Sequence, residues 1–345
     1  MKLTVHLAEQ SYDIFLTRGC LAEAGRYMNL NRKVLLVTDT GVPQQYADAI
    51  AAQCKEAYKV VLPAGEKSKS MDSFSLLLSK MLQASFTRLD CVVAIGGGVM
   101  GDLAGFTASC YMRGIDFYNV PTTLLAQVDS SIGGKTAIDF SGIKNSVGSF
   151  YQPCTVLADP ETLRTLSQRQ LYAGLAESIK MAATSDAALF EMIENYSDPS
   201  HIADNPDMLE KILYRSLCIK RDVVEKDPKE TGLRKILNFG HTVGHAIESL
   251  HEGEWLHGEC IALGMLYMCS EQVRVRIQRV LEKYELMRSV KETPSDLLPF
   301  ILHDKKMKNG KITGVWVDEI GRCELRDFSS EEWVEILSRP IIYNT

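Results

Sequence analysis

Short apolar runs alternate with amphipathic segments through the first half of the chain. The patterns predict strands at residues 3–7, 12–16, 34–37, 60–62 and 91–95, and helices at residues 21–28, 46–54 and 74–82. The run at residues 34–37 is continuously apolar, which is typical of a strand buried on both faces of a parallel sheet. Strands that alternate with helices in this way predict a Rossmann-like α/β domain, in which helices cover a parallel sheet.

The pattern changes after Asp159 and Pro160, where strand signals give way to longer helical ones. Helices are predicted at residues 168–183, 208–225, 242–250 and 258–275. One two-stranded element is expected at residues 312–317 and 322–326. We therefore predict an α/β domain at residues 1–160 and a mainly α-helical domain at residues 161–345, and a chain of 345 residues is long enough for two cores.

Composition and charge narrow the classes of function. The chain is 46% hydrophobic and 24% charged, as in globular proteins, and its formal net charge of -6 argues against a nucleic-acid partner. Its apolar runs are too short to cross a bilayer and its start lacks a signal-peptide pattern, so we expect a cytoplasmic protein with no membrane partner. Nine cysteines without a CxxC pair predict reduced thiols.

A glycine-rich turn follows the predicted strand at residues 91–95. Gly96, Gly98 and Gly101 form the pattern GxGxxG, and residues 99–108 can be helical. Such glycines allow a pyrophosphate to approach the backbone at a helix N-terminus, although a turn without a ligand explains the motif about equally well. Asp39 lies just after the strand predicted at residues 34–37, where its carboxylate would either bind a ribose or cap a helix.

A second glycine-rich segment, Gly133-Gly134-Lys135-Thr136, resembles the end of a phosphate-binding P-loop. Position 129, where that motif requires its first glycine, is an aspartate, so we reject a P-loop. Lys135 remains a candidate contact for a substrate.

Histidines and a glutamate in the helical half form a candidate metal site. His241 and His245 lie four residues apart on one helix face, His257 begins the next predicted helix, and Glu177 lies within an apolar helix. Three protein ligands would leave an open position for a substrate. A single histidine is more often structural, and from the residues alone His245 is either a ligand or a proton-transfer residue.

Several ordered motifs across nearly the whole chain match one family. They are Gly65-Glu66 with Lys69, Gly96-Gly97-Gly98 with Gly101-Asp102, the run from Pro121 to Lys135, Lys144-Asn145, Phe150-Tyr151-Gln152-Pro153, Ala176-Glu177 with Lys180, Asn238-Phe239-Gly240-His241-Thr242 with Gly244-His245, and His257-Gly258-Glu259. On these motifs the chain resembles 3-dehydroquinate synthase, of the sugar-phosphate cyclase family.

The resemblance implies a lyase of the shikimate pathway of aromatic amino-acid biosynthesis. Such an enzyme converts 3-deoxy-D-arabino-heptulosonate 7-phosphate to 3-dehydroquinate and phosphate. The implied cofactors are NAD, held by the first domain, and Zn²⁺ or Co²⁺, held by the second. The implied steps are a transient oxidation by NAD, β-elimination of phosphate, re-reduction, ring opening and an aldol closure.

The resemblance also implies roles for individual residues. The metal ligands would be Glu177, His241 and His257. The dinucleotide contacts would be Asp39, Glu66, Lys69, Gly97, Gly98, Val99, Asp102, Leu103, Thr122, Thr123, Lys135 and Lys144. The residues around the substrate would be His245, Asp129, Lys135, Asn145, Lys180, Lys220, Arg234 and Asn238, with Lys305 or Lys306. Arg113 would complete the site of a neighbouring subunit in a homodimer.

Some alternatives stay open on the sequence. Arg221 stands beside Lys220 where a smaller residue is expected, so either cation of the pair is a candidate to face inward. A metal-dependent polyol or alcohol dehydrogenase would share the two-domain plan, and a synthase of another cyclitol would share the cyclase motifs. A non-catalytic nucleotide-sensing module would keep the fold without its chemistry.

Overall fold

The structure, a computed structural model, describes residues 1–251, 253–302, 307–308, 311–339 and 341. Contacts divide the chain into two compact units. The first comprises Met1–Leu166 and Ala203–Lys229, and the second comprises Ser167–Ile202 and the described residues from Glu230 onward. The first unit therefore ends near the predicted boundary but also includes a later segment of the chain.

Strands are concentrated in the first half of the chain. They are β1 (Lys2–Val5), β2 (Tyr12–Leu16), β3 (Lys33–Asp39), β4 (Glu56–Leu62), β5 (Cys91–Gly96), β6 (Asp116–Pro121), β7 (Lys135–Phe140), β8 (Ile143–Phe150), β9 (Thr155–Ala158), β10 (Met307–Lys308), β11 (Lys311–Glu319) and β12 (Arg322–Phe328).

Helices predominate after residue 166. They are α1 (Gln44–Ala51), α2 (Met71–Gln83), α3 (Gly98–Cys110), α4 (Gln168–Ser185), α5 (Ala187–Glu194), α6 (Pro206–Lys226), α7 (His241–Leu250), α8 (His257–Tyr267), α9 (Glu271–Lys283), α10 (Pro294–Leu302) and α11 (Ser330–Leu337). None of the helices in the described ranges combines the length and the apolar character that a membrane-spanning helix requires.

A seven-stranded sheet with the order β1-β2-β9-β6-β5-β3-β4 forms the centre of the first unit. All neighbouring strands are parallel except β1 and β2, which are antiparallel. Side chains alternate between its faces, so Leu35 and Val37 pack into one apolar cluster while Val34 and Leu36 pack into another. The predicted parallel-sheet domain is therefore confirmed, and the continuous apolar run of β3 is explained by burial on both faces.

Several local predictions in the first unit differ from the structure. The helix predicted at residues 21–28 is a 3₁₀ segment, Cys20–Arg26, which Glu23 interrupts with a non-helical φ of -128°. The sequence patterns did not predict β6, β7, β8 and β9. The hairpin of β7 and β8 exposes most of β8, so it has little of the apolar signal that marks the central strands.

The second unit is mainly helical, as predicted, and contains a three-stranded sheet of order β10-β11-β12. The single helix predicted at residues 258–275 is wrong, because α8 and α9 are separated by residues 268–270. The amide of Val317 in β11 donates to the carbonyl of Met268, and the amide of Ser270 donates to the carbonyl of Val317. Tertiary pairing with β11 thus takes the place of helical hydrogen bonds. All nine cysteines are free thiols, which confirms that prediction.

Candidate functional site

Three helices of the second unit pack with their backbones in contact at glycine residues. A Cβ atom on Gly258 of α8 would lie 1.8 Å from the carbonyl oxygen of Ala173 in α4. A Cβ atom on Gly264 of α8 would lie 2.0 Å from the carbonyl oxygen of Gly240, directly before α7. Because no side chain fits at either position, the glycines fix how closely α4, α7 and α8 approach one another.

This packing brings together one candidate metal ligand from each helix. Glu177 lies one turn after Ala173 on α4, while His241 and His257 are the first residues of α7 and α8. The Oε1 atom of Glu177 lies 3.6 Å from Nε2 of His257 and 3.9 Å from Nε2 of His241. A carboxylate oxygen and two imidazole nitrogens therefore face one another.

Hydrogen bonds orient both imidazole rings toward Glu177. Nδ1 of His241 donates to the carbonyl oxygen of Phe239 at 3.1 Å, and Nδ1 of His257 donates to Oε2 of Glu248 at 2.9 Å. Carbonyl and carboxylate oxygens only accept, so a neutral ring in either position carries its lone pair on Nε2. This arrangement is common for histidines that bind metals through Nε2.

The charged groups around Glu177 keep its carboxylate ionised. Its side chain is 1% exposed and ion-paired with Lys180, and within the described residues Oε1 accepts no hydrogen bond. Burial raises the pKa of Glu177, but Lys180 and the two histidines hold that pKa well below its usual value. Burial lowers the pKa of His257, yet the neighbouring carboxylates of Glu177 and Glu248 raise it to about 9. A divalent cation fits this donor set of one oxygen and two nitrogens.

His245 belongs to the same group of side chains. It is exposed on α7, one turn after His241, and its ring centroid lies 5.2 Å from that of His241 and 5.8 Å from that of His257. The potential ligand atoms of the three histidines lie within 4.8 Å of one another. The structure thus brings together all four residues that the sequence left as candidates, and the division into ligands and a substrate-side histidine stays a prediction.

Other predicted substrate residues of the second unit lie next to these helices in the chain. Arg234 and Asn238 belong to the 3₁₀ segment Leu233–Asn238, which precedes α7, and Arg234 is buried. The amide of Asn238 donates to Oε1 of Glu230 at 2.7 Å. Glu230, which no sequence pattern indicated, therefore holds the side chain of Asn238 in place. Lys305 and Lys306, also predicted here, lie outside the described residues.

The glycine-rich turn of the first unit has the predicted strand-turn-helix setting. Gly96 ends β5 and Gly98 begins α3, so the helix N-terminus lies at the carboxyl end of the sheet, with Val99 in its first turn. The amide of Thr122, directly after β6, donates to the carbonyl of Gly96 at 2.9 Å. Cβ atoms on Gly97 and Gly98 would lie 3.4 Å from Cγ2 of Thr123 and 3.0 Å from Oγ of Ser130.

The acidic residue at the end of β3 is placed where the sequence suggested. Oδ1 of Asp39 accepts a hydrogen bond of 2.7 Å from the amide of Gly41, and burial raises the pKa of this carboxyl group. The alternative role as a helix cap is not observed, because α1 begins after Pro43. Leu103, another predicted contact, has its side chain fully buried in the core of this unit.

A buried lysine organises part of the predicted nucleotide site. Nζ of Lys69 donates to Oδ2 of Asp102 at 2.6 Å and to Oδ1 of Asn145, and it lies 3.9 Å from Oε1 of Glu66. Burial raises the pKa of Asp102 to about 6, although Lys69 opposes that shift. Lys144, next to Asn145 on β8, is exposed. This group connects α3 to the loop after β4 and to the β8 strand.

The remaining predicted site residues of the first unit lie in different surroundings. Lys220 of α6 is buried and ion-paired with Asp129, which lies in the π-helical turn Ala126–Ser130. Arg221 instead pairs with Asp222 at 2.6 Å and is more exposed than Lys220, so Lys220 is the buried cation of the two. Lys135 begins a strand and not a helix, which agrees with rejecting a P-loop. Arg113 is exposed and has a φ of 70°.

Glu248, the carboxylate that holds the ring of His257, was not among the predicted site residues. A signal was present, because residues 241, 245 and 248 are spaced to share one face of α7. Its partner lies on a different helix, so the spacing alone did not reveal the contact.

Comparisons with known proteins match this chain to a family. The family described as 3-dehydroquinate synthase N-terminal matches residues 59–173, and the one described as 3-dehydroquinate synthase C-terminal matches residues 174–307. The 3-dehydroquinate synthase of Symbiobacterium thermophilum is 44% identical over 328 residues, which cover 89% of this chain and 91% of that protein. The 3-dehydroquinate synthase of Pelobacter propionicus is 42% identical, with 96% of this chain and 97% of that protein covered.

A solved structure shows the same fold. The 2-epi-5-epi-valiolone synthase of Streptomyces hygroscopicus, solved with NAD⁺ and Zn²⁺ bound, has a TM-score of 0.87 and is 27% identical to this chain. The match covers 96% of this chain and 97% of that one. From the matches over almost its full length, the chain belongs to the 3-dehydroquinate synthase family.

Proposed function

We propose that this chain is a 3-dehydroquinate synthase that converts 3-deoxy-D-arabino-heptulosonate 7-phosphate to 3-dehydroquinate and phosphate, with NAD and a divalent cation as cofactors. The observation that carries the proposal is the arrangement of Glu177 Oε1 with Nε2 of His241 and His257, within 3.9 Å, in a chain of this family. Zn²⁺ or Co²⁺ suits a set of two imidazole nitrogens and one carboxylate oxygen.

Glu177, His241 and His257 would hold the cation and leave a position open for a hydroxyl group of the substrate. When bound, the metal would polarise that hydroxyl, and NAD would accept a hydride and later return it, so that no net NADH forms. Glu177 and Lys180 are both buried, and their ion pair keeps the carboxylate oriented toward the two histidines. The second unit would therefore provide an oriented set of ligands before any substrate is bound.

The other side chains of the proposed site would bind charge and move protons. His245 is exposed beside the ligand group, where its imidazole can take a proton from a substrate hydroxyl or return one. Arg234 and Lys180 are buried cations of the second unit that suit the carboxylate or phosphate of the substrate. In the first unit, Lys220 is a further buried cation, and it is ion-paired with the partly buried Asp129.

For the dinucleotide, the first unit offers the N-terminus of α3 and the residues around it. Gly97 and Gly98 would allow the pyrophosphate to approach the backbone, and Asp39 would accept hydrogen bonds from a ribose. The support for this assignment is their common position at the carboxyl ends of β3 and β5, where parallel sheets bind ligands.

We also propose that the chain forms a homodimer in which Arg113 contributes to the neighbouring subunit's site. Arg113 is exposed on a short turn, which allows its guanidinium group to reach another molecule. The test is light scattering to measure the oligomer, followed by mixing inactive R113A with inactive E177Q protein. Recovery of activity in the mixture supports a shared site, and a monomeric active protein would refute it.

The activity is tested by supplying the heptulosonate phosphate, NAD and zinc, and then measuring phosphate, NADH and the carbocyclic product. The proposal predicts equal amounts of phosphate and 3-dehydroquinate and no net NADH. Accumulation of NADH with a simple alcohol would indicate a dehydrogenase instead. Release of phosphate with a different cyclitol product would indicate another cyclase.

A further inference from the structure

We infer that Glu248 is a positioning residue for the metal site, acting through a hydrogen bond that fixes the ring of His257. This inference rests on the proposed metal-dependent function and assigns a role to a residue outside the proposed set of metal ligands. The direct observation is the distance of 2.9 Å between Oε2 of Glu248 and Nδ1 of His257.

The position of Glu248 in the fold suits this role. It lies seven residues after His241 on α7, which is two helical turns and therefore the same face. His257 begins α8, the neighbouring helix. Glu248 thus connects a ligand of one helix to the helix that carries another ligand, and the glycine contact between the helices keeps the two backbones at a fixed separation.

The ring of His257 needs such a partner. Its side chain is 33% exposed, whereas that of Glu177 is 1% exposed, so packing restrains the ring of His257 less than it restrains the carboxylate. A carboxylate can only accept, so the contact places the proton on Nδ1 and the lone pair on Nε2, which lies 3.6 Å from Oε1 of Glu177. A negatively charged acceptor also makes the ligating nitrogen more basic.

The ring of the other proposed histidine ligand, His241, is held by a different kind of partner. Nδ1 of His241 donates to the backbone carbonyl of Phe239, a partner that no side-chain substitution removes. His257 depends on a side chain instead. Glu248 is therefore the one position among these two contacts where the orientation of a ligand can be changed without changing the ligand.

Three variants test the inference: E248A, E248Q and E254Q. Glu254 serves as the control because it is nearby in the chain and 77% exposed, with its carboxylate 3.8 Å from His251. The E254Q variant removes the same charge without touching His257. Zinc affinity is measured for each folded apo-protein by competition with a chromophoric chelator, and the visible spectrum of the Co²⁺-loaded protein reports the ligand geometry.

We expect the zinc dissociation constant of E248A to rise about 10–100-fold, as is typical when a partner outside the ligand set is removed. The zinc affinity of E248Q should fall less than that of E248A, because the amide oxygen of glutamine still accepts a hydrogen bond from Nδ1 of His257. The zinc dissociation constant of E254Q should change by less than about twofold. The Co²⁺ spectrum should shift in E248A and remain unchanged in E254Q.

Unchanged zinc affinity and an unchanged Co²⁺ spectrum in E248A would overturn the inference. Equal losses in E248A and E254Q would also overturn it, because the effect would then be one of general charge. A wild-type protein that binds neither ion would contradict the proposed function itself, and with it this role of Glu248.

Discussion

The candidate metal centre of the second unit and the predicted nucleotide site of the first unit are built in different ways. At the metal centre, Glu177, His241 and His257 come from three helices whose backbones touch at glycines, so their polar atoms already face one another. At the nucleotide site, the residues lie at strand ends and on loops, and Lys69 is paired with Asp102 and Asn145. The geometry of the candidate metal centre is therefore determined by backbone packing. That of the predicted nucleotide site is determined by ion pairs and hydrogen bonds between side chains.

This difference predicts that the two sites respond to different changes. Alterations at the helix contacts should affect metal binding and folding together. Alterations at the nucleotide site should weaken dinucleotide binding while metal binding persists.

The largest effect is expected when Glu177 is replaced by glutamine. The substitution removes the charge of a proposed ligand, and since losing an outer partner alone costs about 10–100-fold, metal affinity should fall at least about 100-fold. Phosphate release should fall with it. Metal content after dialysis and phosphate release are the measurements, and E191Q, an exposed glutamate on α5 of the same unit, is the matched control. Retained metal in E177Q would contradict the assigned ligand set.

A second large effect is expected for G258A. The new Cβ atom would lie 1.8 Å from the carbonyl oxygen of Ala173, so α8 must move away from α4. Overpacking of this kind typically costs about 1–3 kcal/mol, so the free energy of unfolding should fall by an amount in or above that range. Urea unfolding of the apo-protein measures it. The control is G25A, whose Cβ atom would meet its nearest neighbour at 3.6 Å. Equal stability of the two variants would refute the close helix contact.

A smaller effect, confined to the first unit, is expected for K69M. The substitution leaves the partly buried carboxyl of Asp102 without its ion pair and removes a cation from the predicted nucleotide site. A hydrogen bond with a charged group is worth about 1.5–3 kcal/mol, so NAD affinity should fall roughly 10–100-fold. Calorimetric titration with NAD measures this. K67M is the control, because Lys67 is exposed on the same turn. A comparable loss of zinc affinity in K69M would break the distinction between the sites.

The smallest effect is expected for R221A. Arg221 forms a partly exposed pair with Asp222, and such pairs contribute about 0.2–1 kcal/mol. The free energy of unfolding should therefore change by no more than about 1 kcal/mol. Phosphate release should change by less than about fivefold, because the pairing with Asp222 leaves Lys220 as the buried cation. K220A, which removes the buried partner of Asp129, should reduce phosphate release far more. The opposite ranking would mean that Arg221 is the cation that faces the substrate.

Much of this architecture is predictable because it is encoded locally. The apolar run of β3, the glycine turn before α3 and the spacing of His241 and His245 each identify an element or a face without reference to distant residues. The selection of Glu177 as a ligand came from the family resemblance, since an acid within an apolar helix has several possible roles.

The features that sequence analysis missed depend on contacts between distant segments. The break between α8 and α9 arises from hydrogen bonds with β11, more than forty residues later, and the helical pattern runs through it unchanged. Glu248 likewise acts on a residue of another helix. Such features require the three-dimensional structure, because the residues around one partner do not indicate which distant residue it contacts.

The most direct test of the central claim is phosphate release from the heptulosonate phosphate before and after complete metal removal, with NAD present throughout. The account predicts that chelation abolishes phosphate release, that added zinc restores it, and that no NADH accumulates at any stage. Full activity in protein shown to contain no metal would contradict the role assigned to Glu177, His241 and His257.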